Sequence, residues 1–189
     1  MIRSFFAPAL LTVSVLAAAP AFAQQKVIPA QSEIGFTSHQ MGVPVDGKFR
    51  SWDAQISFDP KKPEAGKVSF TIDTGSATFG VPETDAEVPK APWFNAAKFP
   101  KATFQSTAIK ATGKGQYAVS GQLTVKGASQ PVVVPVTLKQ TGGNTTATGT
   151  FTIHRLDFKI GEGEWADTGV VANNVEVHFK LAVTGVAAL

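Results

Sequence analysis

The chain contains no cysteine among its 189 residues. That excludes a disulfide framework, a thiolate nucleophile and a thiolate metal site. Charge is sparse and unclustered: 17 Lys and Arg stand against 14 Asp and Glu, scattered along the sequence. No basic block of the kind that follows a phosphate backbone is present, so nucleic acid is not an expected partner. A nucleophilic serine has no Gly-x-Ser-x-Gly elbow to sit on. The three histidines, His39, His154 and His178, lack any His-x-His or His-x3-His spacing, which leaves zinc without local support. Glu162, Glu164 and Asp167 fall close together, but the stretch that carries them, Gly161–Thr168, reads as a solvated glycine-rich loop.

A long apolar run occurs only at the start. Met1–Ala23 carries Arg3, then apolar residues from about Phe5 to Ala19, then the small-x-small ending Ala21-Phe22-Ala23. This is the pattern of a secretory signal peptide. A transmembrane anchor would need about 20 predominantly apolar residues without a cleavage site, so no stable membrane insertion is expected. The mature chain, 24–189, would hold 166 residues with 16 Lys and Arg against 14 Asp and Glu. That is one domain, long enough to bury a sizeable core unaided. An exported chain with no lipid-attachment cysteine is expected to be free in the periplasm or the medium.

What the sequence does have is alternation. Between Lys98 and Leu138, Ala102, Phe104, Ser106 and Ala108 share one face, Tyr117, Val119, Leu123 and Val125 share another, and Val132–Leu138 follows Lys126-Gly127. A period of two over three successive segments is a β-meander. Further strands are expected near Ser32–His39, Val45–Arg50, Ala54–Asp59, Lys67–Asp73, Thr146–Arg155 and Asn174–Val183. Turn residues separate them, as in Asp59-Pro60-Lys61-Lys62-Pro63-Glu64. One stretch, Pro82–Asn95, has weak strand character and predicts a short helical turn starting at Glu83. Eight to nine antiparallel strands with hairpin-length links favour a closed barrel, because closure removes exposed edges. Strands of about six or seven residues fall short of the 9–11 of a membrane barrel. The apolar sets Ile56/Phe58, Val68/Phe70/Ile72 and Val175/Val177/Phe179/Leu181 are therefore expected inside, with Asp53/Gln55/Ser57 and Asn174/Glu176/His178/Lys180 in water.

Fourteen Phe and three Trp accompany a single Tyr. Phe36, Phe58, Phe70, Phe104, Phe151 and Phe179 have inward parity, and can either fill the barrel or line a cavity in it. Arg155 extends the parity of Phe151 and Ile153, and a charge on an apolar face must pair or meet a ligand. It either reaches a ligand head group or fixes the barrel mouth, the simplest form being a rim ion pair with Asp157 or Glu162. His39 has outward parity but ends its strand, where it can cap a turn or reach the mouth. Trp93-Phe94 and Trp165 sit in the two irregular segments and would form the lips of a pocket.

The order of short motifs resembles the YceI-like family of secreted bacterial proteins. The matching stretches are Ile34-Gly35-Phe36-Thr37-Ser38-His39 with Val45-Asp46-Gly47-Lys48-Phe49, then Phe99-Pro100-Lys101-Ala102-Thr103-Phe104-Gln105-Ser106, Gly121-Gln122-Leu123-Thr124-Val125-Lys126-Gly127, and Ile153-His154-Arg155-Leu156-Asp157-Phe158. The resemblance implies an all-β, antiparallel, lipocalin-like closed barrel of about eight strands with a short helical interruption. It also implies an isoprenoid lipid or polyprenyl quinone held along the barrel axis, with no covalent cofactor and no catalysis. The ligand-binding residues expected on this reading are Phe36, His39, Phe49, Phe58, Phe70, Trp93, Phe94, Phe104, Phe151, Arg155, Phe158 and Trp165. A homodimer is compatible with it. The competing readings are an enzyme acting on such a lipid and a fully packed barrel serving as a stress-related interaction module.

Overall fold

The computed structural model describes residues 25–189, so the expected signal peptide, Met1–Ala23, lies outside the described residues. The strands are β1 (Lys26–Val27), β2 (Glu33–Gln40), β3 (Val43–Phe49), β4 (Trp52–Ser57), β5 (Lys67–Asp73), β6 (Ala77–Thr78), β7 (Lys101–Gly113), β8 (Gln116–Val125), β9 (Ala128–Thr141), β10 (Asn144–His154) and β11 (Asn174–Thr184), with the helix α1 (Pro82–Glu87) after β6. Pro82 opens that helix, where its missing N–H costs nothing.

All pairing is antiparallel, and the path runs β4-β5-β7-β8-β9-β10-β11-β2-β3-β6. Its two ends are arms of the same bent ribbons. Lys48↔Thr78 and Phe49↔Ala77 pair on one side of a corner, and Trp52↔Ile72 to Ser57↔Lys67 pair on the other. Between them the 3₁₀ turn Thr74–Ser76 breaks the ladder, bridged by Arg50 N–H to Ser76 O and Asp73 N–H to Ser51 O. Counting β3–β4 and β5–β6 as single bent ribbons gives eight around the ring, interrupted at that corner. The short β1 pairs with the end of β11, and the Gln25 side-chain amide bonds both the N–H and the carbonyl of Phe58.

Turn chemistry sets the meander. Met41-Gly42, Lys126-Gly127 and Gly142-Gly143 all have positive φ at both positions, the geometry whose twist suits a two-residue hairpin. The strands of the meander are longer than expected: β7 has 13 residues and β9 has 14. Strand length therefore does not separate this barrel from one in a membrane. Side-chain direction does, because Thr148, Thr150, Thr152, Glu176 and Lys180 are exposed on the outer face of β10 and β11, the reverse of a lipid-facing apolar band. Among the described residues no helix is long and apolar enough to cross a membrane.

The apolar residues form a shell. Phe104, Ile109, Tyr117, Val119, Leu123 and Val134 cluster on one side of the interior, and Ile34, Ala147, Leu181 and Val183 on the other. Three inward Phe rings lie flat against the wall, each over an inward glycine of the adjacent strand. A Cβ on Gly47 would come within 2.5 Å of Phe36 Cζ, one on Gly121 within 2.5 Å of Phe104 Cζ, and one on Gly149 within 2.5 Å of Phe179 Cζ. The Cβ would also meet a backbone carbonyl oxygen that cannot swing away, Gln105 O at 2.5 Å for Gly121 and Pro135 O at 2.5 Å for Gly149. Gly149→Ala is expected to cost about 1–3 kcal/mol by overpacking. Calorimetry should then show a melting temperature lower by roughly 2–10 °C.

Candidate ligand-binding cavity

The shell encloses a cavity of about 580 Å³, within the usual range of small-molecule sites. Its walls are almost wholly apolar: Ile34, Phe36, Phe58, Phe70, Phe104, Val119, Leu123, Phe151, Val177, Phe179 and Leu181 all face it. One end is closed. There Phe58 and Tyr117 meet edge to face with centroids 4.9 Å apart, and Val183 and Val186 fill the remainder. At the other end lie Gln40 and Glu83, the two exposed residues of the lining, and this places the mouth between the end of β2 and α1. β2 grades the wall between the two ends, since its inward residues run Ile34, Phe36, Ser38, Gln40. Glu83, Thr84 and Glu87 of α1 face the same mouth.

The mouth is held by two buried cations. Arg155 is 2% exposed and opens a 3₁₀ turn, Arg155–Phe158. Its Nε donates to Ala172 O at 3.1 Å, Nη1 to Ile160 O and Gly161 O at 2.8 and 2.9 Å, and Nη2 to Trp165 O and Val171 O at 2.7 Å each. Those are all five donors of a guanidinium. Burial pushes its pKa down, and the five carbonyl dipoles compensate the charge where no carboxylate does. Asp157 instead sits 3.5 Å from His154.

Lys126 is 6% exposed, in the β8–β9 turn. Its Nζ donates to Ala91 O at 2.8 Å, Lys159 O at 2.7 Å and Glu162 Oε2 at 2.8 Å, with Pro92 O at 3.4 Å. It thus ties the segment after α1 to the loop after β10. The hydrogen bond from Lys126 holds the Glu162 carboxyl below its ordinary pKa. Asp85 is lowered too, first by the Thr78 hydroxyl, then by the Phe79 N–H and by Arg50. That carboxylate anchors α1 to β6. Trp93 and Trp165, one from each tied segment, have rings 5.4 Å apart beside the cavity. Trp93 Nε1 is the one buried side-chain donor without a partner among the described residues.

An antiparallel eight-ribbon barrel with an apolar interior and a helical break before β7 is the architecture under which the sequence can be compared with others. The YceI-like domain model matches residues 25–183. The chain belongs to the YceI-like family. A UPF0312 protein of Pseudomonas savastanoi pv. phaseolicola is 33% identical over 179 residues, 89% of this YceI-like chain and 93% of that one. Another, from Azotobacter vinelandii, is 35% identical over 138 residues, covering 71% and 72%. Among solved structures, Burkholderia cenocepacia BcnA superposes with a TM-score of 0.81 at 41% identity, covering 83% of this chain and 99% of that one. A polyisoprenoid-binding domain from Saccharophagus degradans, implicated in plant cell wall breakdown, superposes with a TM-score of 0.68. At 16% identity over 85% and 98% of the two chains, it shares the fold.

In this YceI-like barrel Phe36, Phe49, Phe58, Phe70, Trp93, Phe94, Phe104, Phe151, Arg155 and Trp165 all line the cavity. Two expected residues do not. His39 is exposed on the outer face of β2, and its neighbours Ser38 and Gln40 take the inward positions at the mouth. Phe158 is 1% exposed but lies outside the lining, packed in the core cluster, because the chain leaves β10 at His154 and parity no longer applies. Arg155 pairs with neither Asp157 nor Glu162, its five donors going to backbone carbonyls. Phe79 and Tyr117 were not anticipated in the lining. Tyr117 has inward strand parity, whereas Phe79 precedes α1, outside any alternating run.

Arg155→Ala is expected to cost about 3 kcal/mol or more, since it strands carbonyls that water cannot fully reach. Arg155→Lys, with three donors for five acceptors, should recover less than half of the lost melting temperature by calorimetry. For Glu162 the folded pKa lies below the unfolded one, so its contribution is present above the unfolded value, about 4.3. It is lost as pH falls through the folded value. The melting temperatures of the natural chain and Glu162→Gln should therefore differ at neutral pH and converge on acidification below about pH 4.

Proposed function

We propose that this protein binds one apolar chain-like molecule, an isoprenoid lipid or polyprenyl quinone, along the barrel axis and carries or sequesters it without covalent chemistry. The observation that carries the reading is the continuous apolar cavity of about 580 Å³ with a single polar end. A tail buried against such walls gains roughly 25 cal/mol per Å² of apolar surface removed from water. A few polar groups suffice to orient a head. The Saccharophagus degradans domain of the same fold, described as polyisoprenoid-binding, supports the ligand class. The tail would lie toward Phe58 and Tyr117, and the head beside Ser38, Gln40 and α1. The leader-like Met1–Ala23 supports export to the periplasm.

Native mass spectrometry of the protein purified from its own cell envelope, followed by organic extraction, tests this. The expected result is a chain beginning at Gln24 with about one copurified isoprenoid per protein, and loss of that lipid in a folded Ala147→Trp variant whose indole occupies the cavity. A lipid-free protein that also leaves the Trp93 and Trp165 emission unchanged on titration with a prenyl quinone would count decisively against the proposal.

A further inference from the structure

The polar groups of β2 and α1 at the mouth are neutral or anionic. Ser38, Gln40 and Thr84 present hydroxyl and amide groups that can both give and accept hydrogen bonds, and the charges beside them are the carboxylates of Glu83 and Glu87. Glu87 is paired with Lys90 three residues on, whereas Glu83 takes part in no ion pair among the described residues. The one cation of the lining is already spent. Arg155 gives its five donors to five backbone carbonyls. Lys126 gives its ammonium to two close carbonyls and Glu162. Arg50 is bound to Asp85 at 2.7 Å.

From this arrangement we infer that the cavity accepts an apolar chain with an uncharged, hydrogen-bonding head group and rejects the same chain bearing a phosphate or carboxylate. The inference rests on reading the cavity as a lipid site, and deepens that reading by naming the class of head. An anionic head drawn to the mouth must give up water, and a desolvated charge is tolerated only where a counter-charge or several donors replace that water. Here it meets Glu83, and the one cation of the lining, Arg155, has no free donor. A hydroxyl or carbonyl head meets Ser38, Gln40 and Thr84 without that cost. Arg155 lines the cavity, but all five guanidinium donors go to backbone carbonyls, so it cannot serve as an anion receptor without the loop after β10 coming apart.

The test uses two probes with one tail, geranylgeraniol and geranylgeranyl monophosphate, titrated into the exported chain at low ionic strength and followed by tryptophan fluorescence. The alcohol is expected to bind at least about tenfold more tightly. That ratio should fall by about threefold or more in the double variant Glu83→Gln/Glu87→Gln, and likewise at about 0.5 M salt. Because the readout is a ratio on one protein preparation, partial loss of folded variant leaves it intact. Phosphate binding within about twofold of the alcohol, or a ratio unmoved by the double variant, overturns the selectivity and leaves the cavity reading standing. Binding of neither probe overturns both.

Discussion

The interior stays hollow because its largest side chains are laid against the wall. Phe36, Phe104 and Phe179 each cover a glycine on the neighbouring strand, where a Cβ would come within 2.5 Å of the ring. In an eight-stranded barrel the interior is only just wide enough for side chains to fill. A ring standing off the wall would therefore occupy the lumen. The aromatic content that could have packed this barrel solid instead gives it a smooth apolar surface. Phe36 also meets Phe49 at a tilt and Phe79 edge to face, with centroids 5.3 Å apart in both pairs, which carries the lining from β2 across β3 toward α1.

Where strand pairing ends, a different economy begins. The two irregular segments over the mouth have no strand ladder to take up all their carbonyls, and buried carbonyls must be satisfied. Arg155 and Lys126 supply the donors from side chains, one from each side; Arg155 faces only backbone, and Lys126 adds a single ion pair to the half-exposed Glu162, so no pair of charges is fully buried. The Trp93 and Trp165 rings meet between these two braces. Shape at the mouth is thus set by cations that face backbone, and polarity at the mouth by residues of β2 and α1.

Strand parity made most of the wall legible in the sequence. Phe36, Phe58, Phe70, Phe104 and Phe151 alternate with polar neighbours, and each faces the cavity. Parity fails where the ladder stops: Phe158 lies four residues past the end of β10 and turns into the core. Lys126 was illegible for another reason. A lysine before glycine in a hairpin turn reads as solvent-facing, and only the tertiary arrival of the segments at Ala91 and Glu162 buries it. A strand expected to end at His39 leaves Gln40 out of consideration, whereas β2 runs on to Gln40, which keeps inward parity; boundaries are what local propensity fixes least well. The corner at Thr74–Ser76 and the two-residue β6 left no periodic trace, being too short to have a period.

The first and last strands meet. Lys26 pairs with Thr184, and Phe36 of β2 pairs with Val177 of β11, so the seam of the ring joins residues from opposite ends of the chain. Contacts so distant in sequence repay their loop-closure entropy late, which makes such a topology slow to fold. Until β11 is available, β2 and β10 both present open edges and the greasy interior has no lid. The vulnerable period of this molecule is therefore its assembly, when it is a curled sheet with two sticky margins, and it ends with the docking of its C-terminal strand.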